Sequence, residues 1–488
     1  MKLEKIIKRC AVTSVSGDTA VEIDAITNDS RKVAPGSLFV AVSGCGNDGR
    51  QYIKAAIEAG AAAVILEEGD PAEKEYLSAF HGTTVHVKDS RLAAAMAADA
   101  FYEHPSGKLN LVGITGTNGK TTTVTLLYNL FRSLGYECGL MSTIANYVGS
   151  VRLETANTTS DPITINALLD RMCKAGCEDC FMEVSSIGVD QKRVEGLEFK
   201  VGIFSNLTHD HLDYHGTFAE YLRCKQAFFD QLSKDAYAIT NTDDRNGRIM
   251  VQNTKAHIVT YGCKTAADHK CRIIEEGFDG MLLNIDGKEV WTRLVGAHNA
   301  YNLLALYTTA VTLGAGAEET MIALSGLESA KGRLETIRGP KDLTVVIDYA
   351  HTPDALENVL KTLRDIGPER QLICLFGCGG DRDRTKRPEM GAVAEKYADR
   401  IILTSDNSRT ESTSEIIEEI KGGLTPTGLA KTLSISDRKE AIRTAIMLAD
   451  KGAVLLLAGK GHETYQIIGK DKRHFDEREI VEEAFKTL

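Results

Sequence analysis

Short apolar runs alternate along this chain with polar, helix-compatible stretches. Ser37-Leu-Phe-Val-Ala-Val42 and Ala63-Val-Ile-Leu66 read as strands and the Ala-rich stretch around Tyr52 to Ala59 as a helix, which predicts a small α/β unit. Glu103-His-Pro-Ser-Gly-Lys-Leu-Asn110 interrupts both patterns and marks a boundary. Beyond it, Leu109-Asn-Leu-Val-Gly-Ile-Thr115 is a buried-strand pattern that enters a Gly-rich turn and then a helical run to about Ser133. Further strands are predicted at 180–184, 201–205 and 236–239, giving a doubly wound middle third. A third unit begins near Lys331-Gly-Arg-Leu-Glu335, with strands predicted at 344–347, 372–376, 401–404 and 453–458 and helical segments between them. No internal repeat or low-complexity tract is evident.

Length agrees with that division, since 488 residues with 43% hydrophobic and 26% charged residues exceed one ordinary core. The expected fold class is α/β in three domains. These are a small N-terminal α/β domain (1–105), a central P-loop ATPase-like domain (106–332) and a C-terminal Rossmann-like domain (333–488). A net charge of −11 disfavours nucleic acid, whose phosphates are gripped by accumulated Lys and Arg. The opening MKLEKIIKRCAVTSV holds no continuous apolar segment, and no run is long enough to span a membrane, so a cytoplasmic protein is expected. Eleven scattered cysteines fit reduced thiols. Cys173, Cys177 and Cys180 lack a second Cys/His pair at finger-like spacing, so they read as buried thiols rather than zinc ligands.

The strongest local signal is Thr115-Gly-Thr-Asn-Gly-Lys-Thr-Thr122, set between a strand pattern and a helix pattern. Free backbone N–H groups and the helix dipole both face an anion there. Gly116 and Gly119 permit close backbone approach, Lys120 neutralises β/γ-phosphates, and Thr121 is placed to reach Mg²⁺. The usual consensus carries glycine where this chain has Ile114, so the loop is a variant.

That variant loop resembles the loop of the Mur ligases. Lys331-Gly-Arg-Leu-Glu335, Asp348-Tyr-Ala-His-Thr-Pro353 and Gly377-Cys-Gly-Gly-Asp-Arg-Asp383 are similar to further stations of the family, in the same order. Asp29-Ser-Arg31, Met182-Glu-Val-Ser-Ser186, Asp210-His-Leu-Asp-Tyr-His215, Asp406-Asn-Ser-Arg409 and Gly459-Lys-Gly-His-Glu463 resemble the branch that adds the third peptide residue. The resemblance runs from about residue 28 to 463.

It implies an ATP- and Mg²⁺-dependent ligase of peptidoglycan precursor synthesis. Such an enzyme joins meso-diaminopimelate to UDP-N-acetylmuramoyl-L-alanyl-D-glutamate through an acyl phosphate, a reaction that rests on positioning and on neutralising clustered charge. On this resemblance Lys120, Glu183, His211 and Lys225 are the catalytic group, and Thr121, Glu183, His211 and a CO₂-derived carbamate on Lys225 surround the metal. Gly116 to Thr122, including Thr117, Asn118 and Thr122, hold ATP together with Asn299, Arg333 and His351. Asn28, Ser30, Cys45, Gly46 and Asn47 match positions holding uridine and pyrophosphate. Asn157, Thr158, Thr159, Ser185, Gln191 and Arg193 match those holding the muramoyl-peptide. Ile187 stands where many relatives have His.

The acceptor is assigned to Asp406, Asn407, Ser408, Arg409, Arg382, Gly459 and Glu463. An Arg can grip the distal carboxylate of diaminopimelate bidentately, whereas lysine offers none. Diaminopimelate-adding relatives carry Pro where this chain has Ser408, so addition of L-lysine is the alternative within the family. Taken without the resemblance, Lys225 is a solvated helix lysine, His211 a hydrogen-bonded structural residue, and Asp406 with Arg409 a surface ion pair worth under about 1 kcal/mol. Two further readings are a folylpolyglutamate-type ligase, which lacks a full α/β unit ahead of the loop, and a non-catalytic P-loop switch. A monomer is expected.

Overall fold

A computed structural model of the protein describes residues 1–44, 48–69, 77, 80–155, 157–208 and 212–486. The chain forms two compact units, one of Met1–Lys270 with Asn302–Ala323 and one of Cys271–Tyr301 with Leu324–Leu488.

The first unit opens with β1 (Val12–Ser16), β2 (Ala25–Thr27), β3 (Ser37–Val40), β4 (Ala63–Glu67) and β5 (Thr83–Val87), ordered β1-β5-β4-β3-β2. All neighbours are parallel except β1 with β5. Helix α1 (Ser90–Phe101) starts where the Asp89 carboxylate accepts the Leu92 N–H, satisfying one of the free N–H groups at a helix start. Its small face of Ala93, Ala94, Ala97 and Ala98 lies in one apolar cluster with Leu38, Val40 and Ile65. Between this sheet and the next, Glu103 and His104 adopt φ of 58° and 53°, and a 3₁₀ turn follows at Pro105–Lys108.

The central sheet of this unit comprises β6 (Asn110–Thr115), β7 (Cys138–Met141), β8 (Asn146–Val148), β9 (Val151–Leu153), β10 (Asp179–Glu183), β11 (Phe199–Phe204), β12 (Tyr237–Asn241) and β13 (His257–Gly262). Their order is β13-β12-β11-β6-β10-β7-β8-β9, parallel from β13 to β7. Helices α2 (Lys120–Ser133), α3 (Pro162–Lys174), α4 (Ser186–Asp190) and α5 (Phe218–Asp230) belong to it. Because β6 lies between β10 and β11, the segments leaving three adjacent strands emerge together at the carboxyl edge, where open α/β sheets bind ligands. Cys177 and Cys180 are buried and Cys173 is half-buried.

In the second unit, β14 (His269–Gly277, from Cys271 onward), β15 (Gly280–Ile285) and β16 (Lys288–Thr292) form an antiparallel meander. Its sheet proper holds β17 (Glu335–Arg338), β18 (Thr344–Asp348), β19 (Leu372–Phe376), β20 (Arg400–Leu403), β21 (Thr432–Ser434) and β22 (Val454–Ala458), ordered β17-β18-β22-β19-β20-β21. All are parallel except β17. Apolar clusters line both faces, as near-continuous hydrophobic strands require. Helices α6 (Arg438–Leu448) and α7 (Glu477–Phe485) cover one of them. No helix among the described residues is long and apolar enough to cross a membrane.

Candidate functional site

The loop after β6 is built largely from backbone. Gly116 has φ 155°, and a Cβ there would lie 2.0 Å from Ser205 Oγ and 3.0 Å from the Asn206 carbonyl oxygen. Gly119 has φ 85°, in the left-handed region that favours glycine, and forms the N-cap of α2 without a side-chain cap. At this end of α2 the helix dipole favours an anion. Asn206 clamps the loop: its Oδ1 accepts the Asn118 N–H at 2.9 Å, its Nδ2 donates to Asn118 O at 3.1 Å, and its carbonyl accepts the Thr117 N–H at 2.8 Å. Lys120 Nζ donates to the carbonyls of Gly116 and Thr117, both at 2.9 Å. Thr121 and Thr122 are buried in the first turn of α2.

Register brings two more sequence-predicted residues to this edge. Glu183 pairs with Ile114 across β10 and β6, is 1% exposed, and accepts from Thr143 N at 2.8 Å and Thr143 Oγ1 at 3.1 Å. Lys225, on α5, is 1% exposed, so the solvated-lysine reading is overturned. Its Nζ donates to Gly116 O at 2.8 Å and sits 4.7 Å from the Tyr221 ring centroid. Hard oxygens at Thr121 and Glu183 fit Mg²⁺, and the glycine cradle fits a triphosphate. His211 lies outside the described residues, as do Cys45, Gly46 and Asn47.

Also in the first unit, Asn28, Ser30, Asn157, Gln191 and Arg193 line one cavity of about 830 Å³. Arg193 donates to Thr159 O at 2.6 Å and to Gln191 Oε1 at 2.7 Å, and burial lowers its pKa from the ordinary guanidinium value. Thr159 Oγ1 bonds Glu183 O and Ser185 N, while Thr158 Oγ1 meets Thr143 Oγ1 at 3.1 Å, so this segment is wired to the Glu183 strand end. Ser185 caps α4 by accepting the Gly188 N–H. Ile187, one residue into α4, is half-buried. Lys192, at φ 56°, ion-pairs with Asp89, the cap of α1.

In the second unit three motif segments converge. A Cβ on Gly332 would lie 2.1 Å from His462 N, and one on Gly461 2.7 Å from Tyr349 Cβ. The Arg333 guanidinium stacks 5.0 Å from the Tyr349 ring, whose other neighbours are the rings of His351 at 4.7 Å and His462 at 4.9 Å. Burial first, then the charges of Arg333 and Lys331, depress His462 to about 4. Asn299 is buried and donates to Val295 O at 2.8 Å.

The segments after β19, β20 and β22 form a second cluster. Arg409, at φ 49°, donates to Gly380 O at 2.7 Å and not to Asp406, so the surface-pair reading is also overturned. Asn407 Nδ2 donates to Glu463 Oε2 at 2.8 Å, and its Oδ1 accepts from Ile467 N at 2.9 Å and from Lys460 Nζ at 3.2 Å. Gly459, at φ 109°, would bring a Cβ within 2.8 Å of Asp406 Oδ2. Ser408 is buried, and a Cβ on Gly380 would strike its carbonyl at 1.9 Å. Arg382 is exposed beside Gly379. Beneath the cluster, Arg438 and Glu477 are a buried pair at 2.8 Å, and Arg438 also donates to Ser405 O and Ala458 O. It thereby staples the ends of two strands.

Comparison with known proteins decides the family. Three family models match in order: "Mur ligase family, catalytic domain" at residues 22–102, "Mur ligase middle domain" at 114–310 and "Mur ligase, glutamate ligase domain" at 332–461. A UDP-N-acetylmuramoyl-L-alanyl-D-glutamate--2,6-diaminopimelate ligase of Phocaeicola vulgatus is 50% identical over 486 residues, 99% of each chain. One of the same name from Cytophaga hutchinsonii is 49% identical over 488 residues, 100% of each. The chain belongs to the Mur ligase family. Like other Mur ligases it is an ATP-dependent, amide-forming enzyme with a three-domain α/β architecture. A solved structure of a UDP-N-acetylmuramoyl-L-alanyl-D-glutamate--2,6-diaminopimelate ligase matches with a TM-score of 0.71 at 31% identity, covering 100% of this chain and 99% of that one. The MurF ligase of Thermotoga maritima in complex with ADP shares the fold alone, at 19% identity and a TM-score of 0.62 over 96% and 97% of the two chains.

Sequence reasoning about this Mur ligase missed several residues. Asn206 follows a strand-like run in Ser-Asn-Leu-Thr, and only that position signalled it. Asn302 Oδ1 would lie 2.8 Å from a Cβ on Gly119, one helical turn beyond the assigned Asn299. Tyr52, Arg91 and Asp161 line the 830 Å³ cavity with no motif to announce them. Lys460 and Arg438 were overlooked because buried cations are rare.

Proposed function

We propose that this enzyme adds meso-diaminopimelate to UDP-N-acetylmuramoyl-L-alanyl-D-glutamate with consumption of ATP, in peptidoglycan precursor synthesis. The observation that carries the reading is the placing, after β20, of the Arg409 guanidinium two residues from Asn407, which hydrogen-bonds Glu463 from the end of β22. A guanidinium beside a carboxylate suits a zwitterionic amino-acid centre, and L-lysine ends in a lone ammonium. A domain scheme of 1–105 for the uridine end, 106–332 for ATP and 333–488 for the acceptor accompanies this reading, as does a cytoplasmic monomer.

The terminal glutamate carboxylate attacks the γ-phosphorus and ADP leaves. The incoming amine then attacks the acyl carbon, inorganic phosphate departs and the nitrogen gives up a proton. Lys120 and the α2 N-terminus neutralise the phosphates. Thr121, Glu183 and His211 would hold Mg²⁺, which supplies charge neutralisation and orientation. A carbamate on Lys225 would turn a buried cation into an oxygen donor, and support for it lies in the burial of that lysine against the loop. Asn28, Ser30 and the 45–47 segment take the uridine end, Asn157 to Thr159, Ser185, Gln191 and Arg193 the peptide, and Asn299, Arg333 and His351 the nucleoside.

Phosphate release is expected only when ATP, the UDP-dipeptide and meso-diaminopimelate are present together, with L-lysine used orders of magnitude less well. Slow ATP hydrolysis indifferent to the other substrates would instead identify a switch, and a preference for L-lysine the alternative ligase. Lys120→Ala should abolish amide formation. Arg409→Ala should erase most of the discrimination between the two diamines, and equal kcat/KM for both in the unaltered enzyme would overturn the reading.

A further inference from the structure

Lys460 has no role in the assignments above, yet it is the hub of the acceptor cluster. It is 0% exposed, and its Nζ lies 3.2 Å from Asn407 Oδ1, 3.2 Å from Glu463 Oε2 and 3.7 Å from Asp406 Oδ1. The rings of Tyr465 and Phe475 stand on other sides, each 5.8 Å away. A buried ammonium is kept where carboxylates pay back its desolvation.

Two consequences follow for the residues that would touch the acceptor. Lys460 and the Ile467 N–H both donate to Asn407 Oδ1, which leaves Nδ2 to face Glu463 and sets the carboxamide in one orientation. Second, Lys460 alters the local charge. Asp406 and Glu463 contribute two negative charges and Lys460 cancels one of them at close range, Arg409 and Arg382 stand beside Gly379, and Arg438 and Glu477 beneath neutralise each other. A site with separated poles of both signs matches a centre bearing one ammonium and one carboxylate. It opposes a ligand that brings an ammonium alone.

We propose that Lys460 is a specificity-determining positioning residue: its buried ammonium orients Asn407 and Glu463 and removes one negative charge, so that the pocket takes a zwitterionic amino-acid centre in preference to a lone ammonium. The inference rests on the acceptor reading of the previous subsection. Without the Lys460 charge the pocket is one unit more negative, and the terminal ammonium of L-lysine becomes a better match.

The test compares the full-length enzyme with Lys460→Met, Lys460→Gln and Lys460→Arg, measuring kcat and KM for meso-diaminopimelate, L-lysine and ATP, with thermal unfolding as a control. For Lys460→Met and Lys460→Gln the KM for meso-diaminopimelate should rise on the order of tenfold or more, and the meso-diaminopimelate to L-lysine ratio of kcat/KM should fall by at least about tenfold, with the KM for ATP unchanged. Lys460→Arg should recover most of the ratio. An unchanged ratio in a folded Lys460→Gln enzyme, or an equal loss toward all three substrates, overturns the proposal while leaving the function standing. A parent enzyme that shows no preference for meso-diaminopimelate sinks the underlying reading instead.

Discussion

The loop after β6 and the cluster after β20 and β22 both hold charged ligands in the proposed reaction, yet they are made of different materials. The loop relies on peptide groups: two glycines that admit close approach, uncapped helix N–H groups, and the Asn206 carboxamide locking Asn118. The cluster relies on side chains with full charges, Asp406, Arg409, Lys460 and Glu463, above the buried Arg438–Glu477 pair. A peptide cradle is specified by one contiguous stretch and tolerates no added bulk. A charged cluster is specified by residues far apart in the chain and tolerates no missing partner.

Removing a partner should therefore produce the largest change. Arg438→Met leaves Glu477 buried without its counter-charge and frees Ser405 O and Ala458 O. Denaturant unfolding should show a loss of about 3–5 kcal/mol, and Arg438→Met/Glu477→Leu should recover much of it. Adding bulk to the loop comes next. With its Cβ driven to within 2.0 Å of Ser205 Oγ, Gly116→Ala should lower kcat/KM for ATP by about 10²–10³-fold, read by phosphate release, with a smaller loss of thermal stability from the strained turn.

A smaller effect follows from loosening the clamp. Asn206→Ala strips two hydrogen bonds from Asn118 and should raise the KM for ATP by about tenfold, roughly the 1.4 kcal/mol expected of a polar pair, with the diamine preference intact. The smallest change has the opposite sign. Asp179, at the start of β10, is buried with the neutral Asn110 amide as its hydrogen-bond partner among the described residues, and burial raises its carboxyl to about 6. The fold holds that proton while the unfolded chain releases it near the ordinary aspartate value of 3.8, so stability declines as pH climbs between those two values. Asp179→Asn keeps the bond from Asn110. It should raise stability at pH 7 by about 1 kcal/mol after allowance for solvent screening, and flatten that part of the pH profile.

What could be read ahead of the structure follows the same division. The β6 strand, the phosphate turn and the start of α2 all lay in one stretch, and the structure places them at Asn110–Thr115 and Lys120–Ser133 as periodicity predicts. Every strand predicted in the second sheet is present within a residue or two, because buried parallel strands are unbroken apolar runs. The meander at 269–292 escaped notice, since its strands alternate charged and apolar residues, as in His269-Lys-Cys-Arg-Ile-Ile-Glu-Glu-Gly277, and look like polar linker. Lys225 reads from composition alone as a solvated lysine and Lys460 draws no assignment within its motif, and only the fold surrounds them. Arg438, in Asp-Arg-Lys-Glu, has the look of a solvated helix start, yet it runs beneath two strand ends.

The clamp on Asn118 carries a consequence for biosynthesis. Asn206 follows it by 88 positions, and Asn241, whose Nδ2 donates to the Ser205 carbonyl, comes 36 residues after Ser205. A nascent chain that has just left the ribosome with its glycine turn complete cannot yet close that turn, because β11 and β12 have still to be translated. Competence to bind the triphosphate is acquired late, when roughly half of the polypeptide has emerged.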